Sequence, residues 1–298
     1  MSRRTTYADH DVAPVRRSPT YADHEADPVR RSPTYADRDV DPVRRSPTYA
    51  DHEADPVRRS PTYAHHRPPR KHPTVTTPYE TAAPPAPGVA HEGLCAALAA
   101  APVIAILRSA SATRFAEVTD TLRASGVRAA EFTLTTPGVL DALREYAADA
   151  PPGLALGAGT VTTPAEAHAA VEAGATYLIT PTTSIEVIAE AVRLDVPVLP
   201  GAYTPTEILT AWRAGATMVK LFPAATGGPE YLRAVRAPLP DIPLVPTGGI
   251  GAADAPAYLA AGATALGVGS PLVGDACEGG SLAALAERAA AFLDGIRR

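Results

Sequence analysis

The chain has 298 residues, of which 46% are hydrophobic and 20% are charged, and its formal net charge is −5. This charge is uneven, since residues 1–72 sum to +3 and the remaining residues to −8. An acidic region without a basic face argues against nucleic-acid binding. Because no apolar run reaches the roughly 20 residues of a membrane span and no apolar leader follows Met1, we expect neither a membrane anchor nor a secretory signal.

The only two cysteines are Cys95 and Cys277. They are too few for a disulfide framework and lack the spacing of metal ligands. Such sparse cysteine use fits a reducing compartment. The sequence therefore predicts a cytoplasmic protein.

Residues 3–64 repeat every 14 residues and carry one tyrosine in each unit, at Tyr7, Tyr21, Tyr35, Tyr49 and Tyr63. The units are rich in proline and in charges of both signs and contain no hydrophobic stripe. They cannot bury enough apolar surface to offset their chain entropy. We predict that residues 1–88 form a disordered tail. It is either a tyrosine-bearing docking or modification array, or else a neutral repeat expansion or upstream DNA translated from a misassigned start. The interpretation without a function is favoured.

From about His91 onward, apolar runs of strand length alternate with alanine-rich helical stretches. The eight predicted strands span residues 102–107, 127–134, 154–160, 176–180, 196–200, 217–222, 243–247 and 263–268. Two helix starts, 163–166 and 204–207, read as capping boxes with proline at the first helical position.

Eight strand–helix units predict that residues 89–298 form a (β/α)8 TIM barrel of the α/β class. An additional helix, His91 to Ala101, is expected to cover the barrel floor. The alternative is an open doubly wound sheet, and it is disfavoured because no Gly-x-Gly-x-x-Gly motif follows the first strand.

Lys220 is the only lysine outside the tail, and the other lysine of the chain is Lys71. Every other cation of the predicted barrel is arginine, whereas Lys220 stands within the apolar run 218–222. A desolvated lysine can lose its proton and attack a carbonyl group, which an arginine cannot do. The alternative is a lysine whose amine snorkels to water at a strand end.

Glu131 is the predicted partner of Lys220. Phe132 and Leu134 suit the outer side of strand 2, which leaves Glu131 on the inside, and the same alternation places Lys220 inside strand 6. Interior layers of a barrel are built from alternate strands, so the two charges can share a layer. The alternative is a structural ion pair, but buried pairs seldom improve stability, and a catalytic pair is therefore favoured.

Three further residues lie at or just after the ends of predicted strands, at the barrel mouth. Arg108 follows strand 1, Thr160 ends strand 3 and Pro181 follows strand 4. Glycine turns at 248–251 and 267–270 follow strands 7 and 8. Glycine turns at that place expose backbone N–H groups and commonly bind phosphate.

Residues 98–295 resemble the class I 2-keto-3-deoxy-6-phosphogluconate (KDPG) / 4-hydroxy-2-oxoglutarate (KHG) aldolase family. The resemblance rests on motifs in family order, at residues 102–108, 131–137, 157–161, 199–207, 219–224, 245–250 and 267–270. It implies that Lys220 is the Schiff-base lysine and Glu131 the general acid/base. It also implies a substrate-binding set: Arg108, Thr160, Pro181 and Phe222, with Gly248, Gly249 and Ser270 for the phosphate.

Thr135 departs from the family pattern, because many members have arginine at this position. Other members show the arrangement of this chain, with arginine at the position of Arg108. We therefore assign the substrate carboxylate to Arg108.

The resemblance implies a lyase that cleaves KDPG to pyruvate and glyceraldehyde 3-phosphate, in Entner–Doudoroff carbohydrate metabolism. It implies a phosphorylated keto acid as substrate, a homotrimer, and no metal or other cofactor, because the protonated imine is the electron sink. The alternatives are aldolases for KHG or 2-keto-3-deoxy-6-phosphogalactonate and a non-catalytic barrel that binds phosphosugars. A third interpretation makes the tail the active part and the barrel its anchor.

Overall fold

The computed structural model describes residues 89–297, with side chains from residue 91 onward. The tail predicted for residues 1–88 lies outside the described residues. The strands are Val103–Leu107 (β1), Ala129–Thr133 (β2), Ala155–Gly159 (β3), Tyr177–Ile179 (β4), Val198–Leu199 (β5), Gly201–Ala202 (β6), Val219–Leu221 (β7), Leu244–Pro246 (β8) and Leu266–Val268 (β9). The helices are Val89–Ala100 (α1), Phe115–Ala124 (α2), Val139–Ala148 (α3), Pro164–Glu172 (α4), Ile185–Arg193 (α5), Pro205–Arg213 (α6), Ala224–Arg236 (α7), Ala255–Ala260 (α8), Ser270–Val273 (α9) and Leu282–Ile296 (α10), with a 3-10 turn at Ala276–Glu278.

All strand pairs are parallel and fall into two sheets. One sheet has the order β5-β4-β3-β2-β1-β9, and the other has the order β6-β7-β8. Pro200 alone separates β5 from β6, and Thr247, directly after β8, forms a parallel bridge with Gly267 in β9. The predicted parallel α/β layering is thus confirmed.

Each predicted strand contains an observed one, and the fifth, predicted to end at residue 200, contains β5 and is followed by the additional short strand β6. Proline has no backbone N–H to give to a sheet ladder, which accounts for the division at Pro200. Glycine ends several helices: Gly126 and Gly174, for example, have φ of 106° and 101°, values that residues with a Cβ atom rarely adopt.

Two apolar layers flank the strands. The larger layer lies between the strands and the surrounding helices and includes Phe132, Val219 and Leu221. The smaller one, which we call the inner cluster, consists of Leu94, Ala97, Leu98, Ile104, Ala129, Ala155, Tyr177, Ile179, Leu199, Met218, Val245 and Ala265. Because strand side chains alternate, these two layers define an outer and an inner face of the strands.

Helix α1 supplies Leu94, Ala97 and Leu98 to the inner cluster and lies against β2, β3 and β4. Its side chains meet the residues that begin the strands, such as Ile104 and Met218. The predicted floor helix is therefore confirmed. Within residues 89–297, no helix has both the length and the hydropathy of a bilayer-spanning segment.

The two predicted capping boxes are present at the starts of α4 and α6. The Thr163 hydroxyl accepts from the Glu166 N–H, and the Glu166 carboxylate accepts from the Thr163 N–H in return. Thr204 and Glu207 repeat this pattern. In both helices the box thus satisfies the N–H groups of the N-cap threonine and of the glutamate three residues later.

Candidate active site

Lys220 lies at the centre of β7, on the inner face, directly above Met218 of the inner cluster. Its side chain is 7% exposed. Burial lowers the pKa of Lys220 below its usual range, and Arg108 lowers it further, although the Glu131 carboxylate opposes the shift. The amine lies 5.0 Å from the centroid of the Phe222 ring. The net effect favours a neutral amine, which is the form that attacks carbonyl carbon.

Glu131 lies on the inner face of β2 and is 1% exposed. Burial raises its pKa above the usual value, and the charges of Lys220 and Arg108 oppose this shift. Its Oε2 atom is buried without a hydrogen-bond partner. A buried carboxyl with an unsatisfied oxygen is costly, and it is available to exchange a proton with a bound water or substrate.

Glu131 and Lys220 influence each other electrostatically without forming an ion pair. All seven ion pairs among the described residues join side chains three or four positions apart, within or beside helices. The Glu131 carboxylate is therefore more than 4.0 Å from the Lys220 amine. This separation disfavours the alternative of a direct structural ion pair.

Two glycines of β3 make room for the side chains of neighbouring strands. A Cβ atom at Gly159 would overlap the Glu131 carboxyl, and one at Gly157 would overlap the Tyr177 ring. Glu131, Gly157 and Tyr177 are in register across β2, β3 and β4. The Tyr177 ring therefore crosses β3, and its hydroxyl donates to the Ala130 carbonyl at 2.7 Å.

Arg108 follows β1 and is exposed. Its guanidinium donates to the Thr160 hydroxyl at 3.1 Å. Thr160 has a φ of 60°, a conformation uncommon for a threonine, directly after β3. Because the charge of Arg108 also acts on Glu131 and Lys220, the guanidinium lies near both and can attract an anionic substrate group.

Phe222 directly follows Lys220 and Leu221 and is 39% exposed. Its ring lies against Gly248, where an added Cβ would be 3.0 Å away. Pro181 follows β4, and its carbonyl lies so close to Gly201 that only a glycine fits there. Gly201 is in register with Lys220, so Pro181 lies beside the residue that pairs with Lys220, whereas the Phe222 ring lies beside the amine itself.

The predicted phosphate-binding residues lie at the same end of the strands. Gly248 and Gly249 follow β8 and Thr247 and have φ of 93° and 76°, and Gly249 packs on Ala225. Ser270 is exposed and begins α9, separated from the end of β9 only by Gly269. Of these three residues, Gly248 is the one that lies against the Phe222 ring, and that ring lies beside the Lys220 amine.

Sequence reasoning gave no role to Tyr177 or Thr136. Tyr177 faces Gly157 in the register of β3 and β4, and a large residue opposite a glycine is the signal that could have identified it. Thr136 is 1% exposed and shares a hydrogen bond with Thr133. Its burial on a turn carries no signal in a single sequence.

Comparison with known proteins agrees with this geometry. A family model described as KDPG and KHG aldolase matches residues 94–286. The 2-dehydro-3-deoxy-phosphogluconate aldolase of Pseudomonas aeruginosa is 41% identical over 168 residues, which cover 56% of this chain and 74% of that protein. The 2-dehydro-3-deoxy-6-phosphogalactonate aldolase of Escherichia coli is 33% identical over 204 residues, which cover 66% of this chain and 95% of that protein.

A solved KDPG aldolase from Legionella pneumophila is 30% identical, with a TM-score of 0.62. The match covers 67% of this chain and 97% of that one, whose structure holds pyruvate captured at low pH as a covalent carbinolamine intermediate. The solved relatives have an α/β barrel fold, which agrees with the parallel strands and surrounding helices of this chain.

Proposed function

We propose, since the chain belongs to the KDPG and KHG aldolase family, that it cleaves KDPG to pyruvate and glyceraldehyde 3-phosphate. The chain is an aldolase by family, and the proposal concerns its substrate and its Schiff-base chemistry. The observation that carries the proposal is the burial of Lys220, with its lowered pKa, near a buried glutamate of raised pKa.

Lys220 is the proposed nucleophile. Its neutral amine attacks the C2 ketone and forms a carbinolamine, which loses water to give a protonated imine. The opposite pKa shifts of Lys220 and Glu131 favour the neutral forms of both groups, an amine that can attack and a carboxylic acid that can donate a proton. Glu131 moves protons in this step through a water, because its carboxylate and the Lys220 amine are more than 4.0 Å apart and do not bond directly.

Cleavage of the C3–C4 bond follows. Glu131, or the water beside it, takes the proton of the C4 hydroxyl, and the bonding electrons pass to C3 and into the imine. Glyceraldehyde 3-phosphate leaves, and an enamine remains on Lys220. Protonation at C3 and hydrolysis of the imine release pyruvate and restore the amine.

The substrate is held at both ends in this proposal. Arg108 and Thr160 bind the carboxylate, Pro181 and Phe222 line the pocket, and Gly248, Gly249 and Ser270 bind the phosphate. Exposed backbone donors at glycine turns suit an anion. The carboxylate assignment is supported by the hydrogen bond between Arg108 and Thr160.

The 6-phosphogalactonate derivative is the second candidate substrate. The Escherichia coli enzyme for that epimer aligns over nearly its whole length, whereas the Pseudomonas aeruginosa enzyme aligns over 74% of its length at higher identity. Cleavage rates for both phosphorylated epimers, for KHG and for an unphosphorylated keto acid separate these possibilities. Tight phosphosugar binding without any cleavage would instead identify a non-catalytic receptor.

Reductive trapping tests the Schiff base. Pyruvate with borohydride should add the mass of a reduced pyruvate adduct to a peptide that contains Lys220. The other lysine, Lys71, is an internal control and should stay unmodified. An active enzyme without an adduct at Lys220 would rule out the mechanism.

We also propose how the two sheets join. We take β5 and β6 as one strand interrupted by Pro200, so that the two sheets close into a single (β/α)8 barrel. The bridge between Thr247 and Gly267 supports this closure. Residues 1–88 are the proposed tail, and residues 89–298 are the barrel domain.

We propose a cytoplasmic homotrimer. Ile185 and Val192, two helical turns apart on α5, are 48% and 41% exposed, which supports self-association. Light scattering of the purified chain gives the number of subunits, and a monomer at working concentration would contradict the trimer.

A further inference from the structure

Arg108 is the cation of the proposed carboxylate site, and its long side chain extends from the exposed end of β1. The hydrogen bond to Thr160 holds the tip of the side chain. A binding cation also needs a fixed backbone, because a displacement of about 1 Å can cost on the order of 100-fold in rate. Two buried threonines, Thr133 at the end of β2 and Thr136 on the turn that follows, bond to the peptide groups on either side of Arg108.

The hydrogen bonds form a chain from the residue after Arg108 to the residue before it. The Ser109 N–H donates to the Thr136 hydroxyl at 3.4 Å, and the Thr136 and Thr133 hydroxyls are 3.2 Å apart. The Thr133 hydroxyl donates to the Leu107 carbonyl at 3.0 Å. Thr133 and Thr136 are 0% and 1% exposed, so water does not compete for these bonds.

The number of protons fixes the direction of this chain. A hydroxyl has one proton to donate, and Thr133 gives its proton to Leu107. Thr136 must therefore donate to Thr133, which leaves the Thr136 oxygen to accept from Ser109. Each hydroxyl donates once and accepts once, so removal of either one leaves buried groups without partners.

We infer that Thr133 and Thr136 are positioning residues that hold Arg108 in place for the substrate carboxylate. The inference rests on the proposed function and adds to it two residues that act through Arg108 without touching the substrate. Thr133 lies two positions after Glu131 on β2, so one strand supports both the acid/base and the carboxylate-binding cation.

The experiment is steady-state cleavage of the phosphorylated keto acid by the full chain and its Thr136→Val variant. We expect KM to rise about tenfold with kcat within about threefold, since the cation is displaced and the reacting groups are untouched. Thr136→Ser keeps the hydroxyl and should restore the wild-type KM. Thr264→Val is the matched control, because Thr264 is exposed before β9, at the opposite ends of the strands, and makes no side-chain hydrogen bond among the described residues.

A double-mutant cycle distinguishes positioning from general structural damage. If Thr136 acts through Arg108, Thr136→Val should change KM no further in an Arg108→Ala background. Thr133→Val breaks the same chain at its other hydroxyl and replaces Thr136→Val if that variant does not fold. A wild-type KM in these variants, or an equal KM increase in the Arg108→Ala background, would overturn the inference. Cleavage by the wild type is measured first, so failure of the proposed function is seen separately.

Discussion

The inner face of the strands differs sharply between its two ends. At the start of the strands, the inner cluster is entirely apolar apart from the Tyr177 hydroxyl, and α1 covers it. At the carboxyl end, Arg108, Thr160 and Ser270 bring polar groups to water. Lys220 and Glu131 lie between these ends, buried but next to the polar region. The apolar end therefore supplies packing and a low dielectric, and the polar end holds the residues that we propose for recognition.

This gradient is present within single strands. In and beside β7, the inward positions run from Met218 through Lys220 to Phe222, from apolar to charged to partly exposed. On β2 they begin with Ala129 and reach Glu131. The charged residues therefore lie at a depth where burial shifts the pKa, next to the polar end of the strands.

Lys220→Arg should have the largest effect on activity. Arginine keeps its proton, so covalent catalysis is lost and kcat should fall at least about 10⁴-fold, the scale seen when a nucleophile is removed. Lys220→Met is the matched control, with neither charge nor nucleophile, and it should be as inactive while the fold is retained. Pyruvate release and circular dichroism provide the two measurements. Substantial cleavage by either variant would mean that chemistry occurs elsewhere on the chain.

Glu131→Gln should lower kcat about 10²- to 10⁴-fold, the range of general acid–base catalysis. It should not destabilise the protein at neutral pH, because the amide cannot ionise and replaces a carboxyl with an unpartnered oxygen. This variant therefore separates the contribution of Glu131 to the chemistry from its contribution to stability. An unchanged kcat would remove Glu131 from the mechanism.

The raised pKa of Glu131 predicts that stability depends on pH, and the Glu131→Gln variant serves as the reference. The folded-state pKa of Glu131 is raised above its usual value of 4.5, so its contribution to folding is fully present below that pH. The contribution is lost as the pH rises through the folded-state pKa, because the folded protein must then bury a charge or keep an extra proton. Relative to Glu131→Gln, the wild type should lose stability from pH 4.5 upward. Urea midpoints at several pH values measure this difference, and a constant difference would contradict the raised pKa.

The sequence was sufficient to predict the strands, the floor helix and the inward orientation of Lys220 and Glu131. Alternation along a strand is a local property, and it carries this information. Contacts across strands are not local. The Tyr177 hydroxyl reaches a carbonyl 47 residues away, and the Thr133 hydroxyl reaches one 26 residues away. Such bonds depend on register, which a single sequence does not specify for residues so far apart.

Leu98→Ala tests the floor of the inner face. Leu98 is 4% exposed, and its truncation should lower the free energy of unfolding by about 2–5 kcal/mol, the usual range for a buried leucine. The kcat/KM of the folded fraction should stay unchanged, because the inner cluster lies beneath the reacting groups. Cys95→Ala, at an exposed position of the same helix, should change stability far less. A loss of kcat in stably folded Leu98→Ala would show that the floor also shapes the site.

Thr163→Ala should have the smallest effect and tests whether every residue near the carboxyl end of the strands serves recognition. Thr163 lies three positions after Thr160, but its hydroxyl caps α4 by accepting from the Glu166 N–H at 3.2 Å. Loss of such a cap typically costs about 1 kcal/mol of stability. KM should stay within about twofold, because Thr163 takes no part in the hydrogen bond that Arg108 donates to Thr160.

Two further variants interpret this result. Thr163→Ser keeps the capping hydroxyl and should restore stability, whereas Thr204→Ala removes the equivalent cap of α6, where Thr204 accepts from Glu207 at 3.3 Å. Equal losses of stability at the two caps, without a change in KM, would assign both to helix formation alone. A rise in KM for Thr163→Ala alone would instead mean that the start of α4 orients Thr160, so the recognition region would extend from the strand ends into the helix that follows β3.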